Sequence, residues 1–149
     1  LGPLERKAIG QRAMEVVSKK MKKDGWKVED VHKEKNRGYD FIFKKEGKTI
    51  YCEVKGTQNV GTKVILTKNA VSAAKNNFPN SALYIVSGIF LDRSKKVVKA
   101  SLGKLNEIHP WEIDDNHLEG LSYNYTVPNG WHIYVTRHYQ LKDFYCKKS

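Results

Sequence analysis

Apolar residues recur every three or four positions along the first part of the chain, which is the spacing of one helix face. The residues on this common arc are Ile9, Ala13, Met14, Val16, Val17 and Met21. Asp24-Gly25 follows, and glycine often ends a helix there because it accepts a left-handed conformation. We therefore predict one amphipathic helix that starts near Leu4 and ends at Asp24-Gly25.

Several of the next segments alternate between apolar and polar residues, as half-buried strands do. The predicted strands are residues 26–31, 39–43, 49–55 and 62–67, with aromatic and β-branched residues densest in the second and third. Residues 68–78 predict a short helix that is capped by Asn69 and stops before Pro79. A nearly continuous apolar run at residues 82–90 predicts a strand covered on both faces.

This order of helix, strands, helix and buried strand predicts a mixed α/β domain with a central sheet and flanking helices. At 149 residues the chain has the size of one domain, with the core at about residues 5–100. Residues 101–149 are aromatic-rich, and we expect them to form an appendage of the same domain, with a strand at residues 131–136. The aromatic residues there are Trp111, Tyr123, Tyr125, Trp131, Tyr134, Tyr139, Phe144 and Tyr145.

The charge balance points to a polyanion partner. Lysine and arginine total 27 against 16 acids, which gives a net charge of +11, and such an excess suits nucleic-acid phosphates. The alternative is simply a lysine-rich soluble surface. The sequence has no transmembrane stretch, and Cys52 and Cys146 suggest reduced thiols in a cytoplasmic protein.

Three charged residues lie on the second and third predicted strands: Asp40, Glu53 and Lys55. If a two-residue turn at Glu46-Gly47 joins these strands, Asp40 stands directly across from Glu53. Like charges in such a pair destabilise a sheet. A divalent cation between them would remove the repulsion.

Mg²⁺, with Mn²⁺ as a substitute, suits such a pair because it binds one or two carboxylates together with water and phosphate oxygens. Lys55 would then orient or deprotonate the attacking water and stabilise charge in the transition state. The other interpretation of the same residues is a surface salt bridge between Glu53 and either Lys55 or Lys48.

Asp40 followed by Glu53-x-Lys55 resembles the PD-(D/E)xK nuclease superfamily. The chain also resembles, over about residues 9–90, the domain at the C-terminus of the plant NO VEIN protein and of bacterial defence helicases. The segments that carry this resemblance are "AMEVV", "EDVHKEKNRGYDF", "CEVKG" and "TKNA", in the family's order. One departure is Ala70, because the family usually has glutamate after the asparagine.

The resemblance implies a restriction-endonuclease-like αβββαβ core and a metal-dependent DNA endonuclease, used in restriction or defence. It adds Glu15 of "AMEVV" as a helix acid that assists catalysis and metal binding, although solvent exposure is the other interpretation. The chain has no P-loop motif of its own, so a helicase or ATPase, where one is needed, would be a partner or a fused domain. A homodimer is a further expectation.

Four residues are candidates for DNA binding: Lys35, Arg37, Gln58 and Lys68. Lys68 lies at a predicted helix start, where backbone N–H groups favour an anion. Ordinary loop hydrogen bonds and helix capping are the competing explanations. His132, His138 and Cys146 have spacings that match no standard zinc site.

Two other functions remain open. One is a non-catalytic DNA-binding or recognition module on the same fold, and the other is a nuclease like the Holliday junction resolvases.

Overall fold

The computed structural model describes residues 1–122 and 125–127. Its elements are α1 (Pro3–Lys23), β1 (Lys27–Asp30), β2 (Phe41–Lys45), β3 (Lys48–Gly56), α2 (Lys68–Asn77), β4 (Ser81–Asp92) and β5 (Lys99–Ile108). The chain divides into two compact units, residues 1–114 and 115–149. The first unit holds the sheet and both helices, and in the second the described residues include a 3₁₀ turn at Asp115–His117. The predicted strand at residues 131–136, Cys146, and His132 and His138 lie outside the described residues.

The five strands form one mixed sheet in the order β1-β2-β3-β4-β5. β3 and β4 run parallel and are connected through α2, whereas the other neighbouring pairs are antiparallel. The predicted mixed α/β class is therefore confirmed. Within the described residues, no helix is long and apolar enough to cross a membrane.

The helices cover opposite faces of the sheet. α1 buries Ile9, Ala13, Val17 and Met21, which fall on the predicted arc. They pack in one cluster with sheet residues that share a face: Phe41, Phe43, Ile50, Cys52, Val54, Ala82, Tyr84 and Val86. On the other face, Ala74 of α2 and Trp111 pack with Leu83 and Ile85. Burial on both faces explains the continuous apolar sequence of β4.

The β2–β3 hairpin has the predicted turn. Glu46 and Gly47 both have positive φ, at 50° and 74°, as the tight turns that suit hairpin twist require. The register pairs Lys45 with Lys48 and Phe41 with Cys52, which confirms the predicted register along the ladder. The paired ladder ends there, one residue before Asp40 and Glu53 would meet.

The predicted strand at residues 62–67 is wrong. These residues have no regular secondary structure, although Val64 and Leu66 pack against the cluster around Trp111 while Ile65 is exposed. The alternation therefore reports burial correctly. The segment pairs with neither of the strands that flank it in sequence, because β2 and β4 occupy both sides of β3, and β3 and β5 occupy both sides of β4.

Two further details differ from the sequence prediction. α2 is capped by Thr67, whose side chain accepts a hydrogen bond from the Ala70 N–H at 3.1 Å. Asn69 is instead the second helical residue, and its side-chain amide donates to Asn36 Oδ1 at 3.4 Å. The strand β5 was not predicted, and it extends the sheet into the region expected to be an appendage.

Two glycines let the helices approach the sheet closely. A Cβ atom on Gly56 would lie 2.8 Å from the Ile9 carbonyl oxygen of α1. One on Gly38 would lie 2.3 Å from the Asn69 carbonyl oxygen of α2, and Gly38 also has a positive φ of 78°. Gly38 belongs to the "RGYD" segment and Gly56 to the "EVKG" segment. Each glycine therefore allows a helix to pack next to charged residues: α2 close to Asp40, and α1 close to Glu53 and Lys55.

We expect Gly56→Ala to destabilise the fold by about 1–3 kcal/mol, because the added methyl group overpacks the α1 contact. Urea or thermal unfolding would measure it. The control is Gly10→Ala in the exposed middle of α1, where an added Cβ meets nothing within 4 Å. Alanine there should stabilise the protein by about 0.5–1 kcal/mol. Equal effects of the two substitutions would contradict the packing role of Gly56.

Candidate active site

Glu53 is a buried acid in the middle of the sheet. It lies on β3, and its residue is 7 % exposed. Alternation along the strand turns Glu53 and Lys55 away from α1, towards the face that α2 covers. The Lys55 Nζ lies 2.8 Å from Glu53 Oε1. The salt bridge that the sequence offered as an alternative therefore forms with Lys55, within a largely buried environment.

Asp40 sits just before β2 and is tied to β3 by two hydrogen bonds. Its backbone N–H donates to the Cys52 carbonyl oxygen at 2.8 Å, and its Oδ2 accepts a bond from the Val54 N–H at 2.8 Å. The carboxylate therefore lies against the same stretch of β3 that carries Glu53. These bonds fix Asp40 in place without a direct ladder pair to Glu53.

Burial perturbs both carboxyl groups. It raises the pKa of Asp40 above its ordinary value, although the Val54 N–H and the charge of Lys55 oppose the rise. Burial, followed by the negative charge of Asp40, raises the pKa of Glu53, and Lys55 partly offsets it. Burial opposes the ionisation of both acids, and the charge of Asp40 further opposes that of Glu53, so the pair favours a bound cation.

A small cleft of about 10 Å³ opens beside Glu53, which is close to the space that one water molecule needs. Its lining includes Tyr39 and Tyr51, whose ring centroids are 5.1 Å apart. Trp111, Asn77 and Gly38 complete much of the wall. The cleft therefore provides room for a small ligand atom next to the buried carboxylate.

Asp30 and His32, which were not predicted as site residues, also lie near Asp40. The Val31 N–H donates to the Asp40 carbonyl oxygen at 2.9 Å, and His32 Nδ1 lies 2.5 Å from Asp30 Oδ1. Burial alone would raise the pKa of Asp30, but the hydrogen bonds from His32 lower it below its ordinary value. In the sequence, the only indication of this contact is that "EDVH" comes shortly before Asp40. The contact itself depends on the pairing of β1 with β2.

Glu15 is exposed on α1. Its side chain is 68 % exposed and lies 3.5 Å from Arg12. Among residues 1–122 and 125–127, no group of three His, Cys, Asp or Glu side chains is placed to hold a metal ion. The structure thus brings Asp40, Glu53 and Lys55 together and does not add Glu15 to them as a third acid.

The candidate DNA contacts occupy different loops. Arg37 Nε donates to Glu34 Oε2 at 2.5 Å, and Lys35 is exposed in the same loop. Lys68 is the exposed first residue of α2, next to the Asn69–Asn36 contact that docks this loop on the helix. Arg37 and Lys68 are therefore on neighbouring segments. Gln58 lies in the separate loop after β3.

No curated protein and no solved structure matches the chain. The family model described as Protein NO VEIN, C-terminal, matches residues 9–100. That range runs from the buried part of α1 into the start of β5, and it includes Asp40, Glu53 and Lys55. The chain therefore belongs to the family of the NO VEIN C-terminal domain.

Proposed function

We propose that this chain is a metal-dependent DNA endonuclease of the PD-(D/E)xK type that acts in restriction or defence. The observation that carries the proposal is the arrangement of Asp40, buried Glu53 and Lys55 at one point of the sheet. A buried acid with a raised pKa beside a second carboxylate lowers the stability of the folded protein, so stability does not explain the arrangement. Such arrangements cluster at functional sites.

The donor set fits Mg²⁺, with Mn²⁺ as a substitute. Both Asp40 and Glu53 offer hard carboxylate oxygens, and Mg²⁺ commonly uses one or two carboxylates while water and phosphate complete its shell. When bound, the ion supplies Lewis-acid stabilisation of negative charge on the phosphate. Binding would also relieve the mutual repulsion that raises the pKa of Glu53.

Side chains of the protein carry the other roles in phosphodiester hydrolysis. Lys55 lies 2.8 Å from Glu53, and its ammonium group would orient the attacking water and stabilise charge on the phosphate. The water oxygen forms a bond to phosphorus while one ester P–O bond breaks. The products are a phosphate monoester and a hydroxyl group. The oxygen that leaves phosphorus takes up the proton that the water loses. Glu15 remains a proposed assisting acid from the family resemblance.

DNA is the proposed substrate because the chain carries a net charge of +11 and neutralised phosphates release counterions. Lys35, Arg37 and Lys68 lie around the loop docked on α2, and Gln58 follows the strand that carries Lys55. A cytoplasmic location, a homodimer and a partner helicase or ATPase complete the proposal.

A non-catalytic DNA-binding module is the second candidate. It is favoured by the direct contact between Lys55 and Glu53, because that pair satisfies both charges without metal. This candidate expects salt-sensitive DNA binding that is indifferent to Mg²⁺ and to loss of Asp40.

We expect the protein to cleave DNA with Mg²⁺ or Mn²⁺, and Asp40→Ala and Lys55→Ala to lower the rate by about 100-fold or more. Plasmid, linear, base-modified and four-way-junction DNA should be compared, since a marked junction preference would indicate resolvase-like activity. The matched control is Lys95→Ala, which changes an exposed residue in the connection between β4 and β5, outside the site, and should retain cleavage. Cleavage that survives both site substitutions would refute the assignment.

We expect Asp40→Asn to stabilise the metal-free protein at neutral pH by about 0.5–1 kcal/mol, since it removes a like-charge interaction with Glu53. Burial raises the folded-state pKa values of both acids. The contribution of these two acids to stability is therefore greatest below their unfolded-state pKa values and is lost as the pH rises through the raised folded-state values. The advantage of the variant should shrink as the pH is lowered.

Thermal unfolding in EDTA and in Mg²⁺ measures this effect. Mg²⁺ should raise the midpoint of the wild type, because a ligand that binds the folded state stabilises it. It should leave Asp40→Asn nearly unchanged. A variant less stable than the wild type in EDTA, or equal stabilisation of both by Mg²⁺, would contradict the metal site.

A further inference from the structure

Lysines face lysines at the turn end of the sheet. The register pairs Lys27 of β1 with Lys44 of β2, and Lys45 of β2 with Lys48 of β3. Side chains in such pairs share one face, with Cβ atoms about 4.5–5.5 Å apart, and like charges at that separation oppose pairing. The first pair and the second lie on opposite faces, so positive charge surrounds this end of the sheet.

The C-terminal end of α1 adds to the same charge. Lys45 Nζ donates to the Asp24 carbonyl oxygen at 2.6 Å, and so the hairpin meets the end of the helix. Lys22 and Lys23 lie in the last turn of α1. We call the combined surface the lysine end, and it consists of Lys22, Lys23, Lys27, Lys44, Lys45 and Lys48.

Nearby acids do not balance this surface. Three acids accompany its six lysines: Glu29 lies 3.9 Å from Lys44, and Glu46 is exposed in the turn between Lys45 and Lys48. The third, Asp24, is paired with Lys20 and also interacts with the charges of Lys23 and Lys45. In the described part of the chain, Lys22, Lys23, Lys27 and Lys48 have no carboxylate within 4.0 Å. The helix dipole favours cations at the end of α1. It does not explain the lysines that the sheet register sets opposite one another.

We propose that the lysine end is a second contact surface for DNA phosphates, separate from the surroundings of Asp40, Glu53 and Lys55. The choice of DNA rests on the proposed function, although the inference concerns binding and not cleavage. A polyanion explains the arrangement because its phosphates would screen the opposed lysines and release counterions. A lysine that costs stability in the free protein would then contribute to affinity.

The distance between the two surfaces suits a duplex. Lys44 of β2 lies on the same face of the sheet as Asp40, and the four residues from Asp40 to Lys44 span roughly 13 Å. A duplex rises about 3.4 Å per base pair, so the separation corresponds to about four base pairs. One bound duplex could therefore contact both surfaces.

We expect the double variant Lys27→Gln/Lys48→Gln to bind a duplex of about 30 base pairs roughly tenfold more weakly at 0.1 M salt. The slope of log Kd against log salt concentration should fall by about 1–2, which corresponds to the loss of one or two phosphate contacts. Its thermal midpoint should rise, because each substitution removes one of two opposed charges. Binding is measured in EDTA, so that no cleavage occurs.

The matched control is Lys95→Gln/Lys96→Gln in the exposed connection between β4 and β5, which has the same change in net charge. It should keep the wild-type salt slope. If both double variants lose affinity and salt slope equally, net charge alone explains the effect and the lysine end is refuted. An unchanged salt slope in Lys27→Gln/Lys48→Gln would also refute it.

A separate measurement tests the proposed function. Cleavage of the same duplex by the wild type in Mg²⁺ tests the nuclease assignment, whatever the lysine variants do. If the wild type cleaves and the lysine-end variant binds normally, the second surface is wrong and the nuclease survives. If the wild type binds DNA without cleaving it and Lys27→Gln/Lys48→Gln has a smaller salt slope, the lysine end is supported and the nuclease assignment is wrong. A lysine end that binds an acidic protein but not DNA would overturn the inference.

Discussion

The close approach of the two helices to the sheet holds the candidate site in place. Gly56 lets α1 reach the end of β3, immediately after Lys55, while Gly38 lets α2 reach the segment that leads into Asp40. A side chain at either glycine would collide with helix backbone. Because these contacts flank the charged residues on both sides, the position of the acids depends on packing between sheet and helices as much as on strand pairing.

That packing also creates the electrostatic problem at the site. Burial between β3 and α2 raises the pKa of Glu53, and the neighbouring carboxylate adds to the effect. The opposed lysines at the other end of the same hairpin present a like-charge problem of opposite sign. Both arrangements oppose folding of the free protein, and a cation would relieve the first while a polyanion would relieve the second. In the proposals made above, one end of the hairpin binds a metal ion and the other end contacts DNA phosphates.

Much of the hairpin could be predicted because its causes are local. Glu46 and Gly47 adopt positive φ, and a two-residue turn then fixes which residues pair. The cap of α2 failed as a prediction because Thr67 and Asn69 are both able to cap a helix, and the choice depended on the contact between Asn69 and Asn36. β5 was missed because none of its residues is fully buried, so its sequence has little apolar alternation.

The sequence by itself determined the helix face of α1, the hairpin register and the placement of Asp40 beside the strand that carries Glu53 and Lys55, because spacing and turn geometry act over short distances. The tertiary structure alone decided that residues 62–67 do not pair with β3 or β4, since sheet neighbours occupy both sides of these two strands. It also decided that Glu53 is buried against Lys55 while Glu15 is exposed on α1. Burial depends on which elements cover a face, and that is a property of the assembled layers.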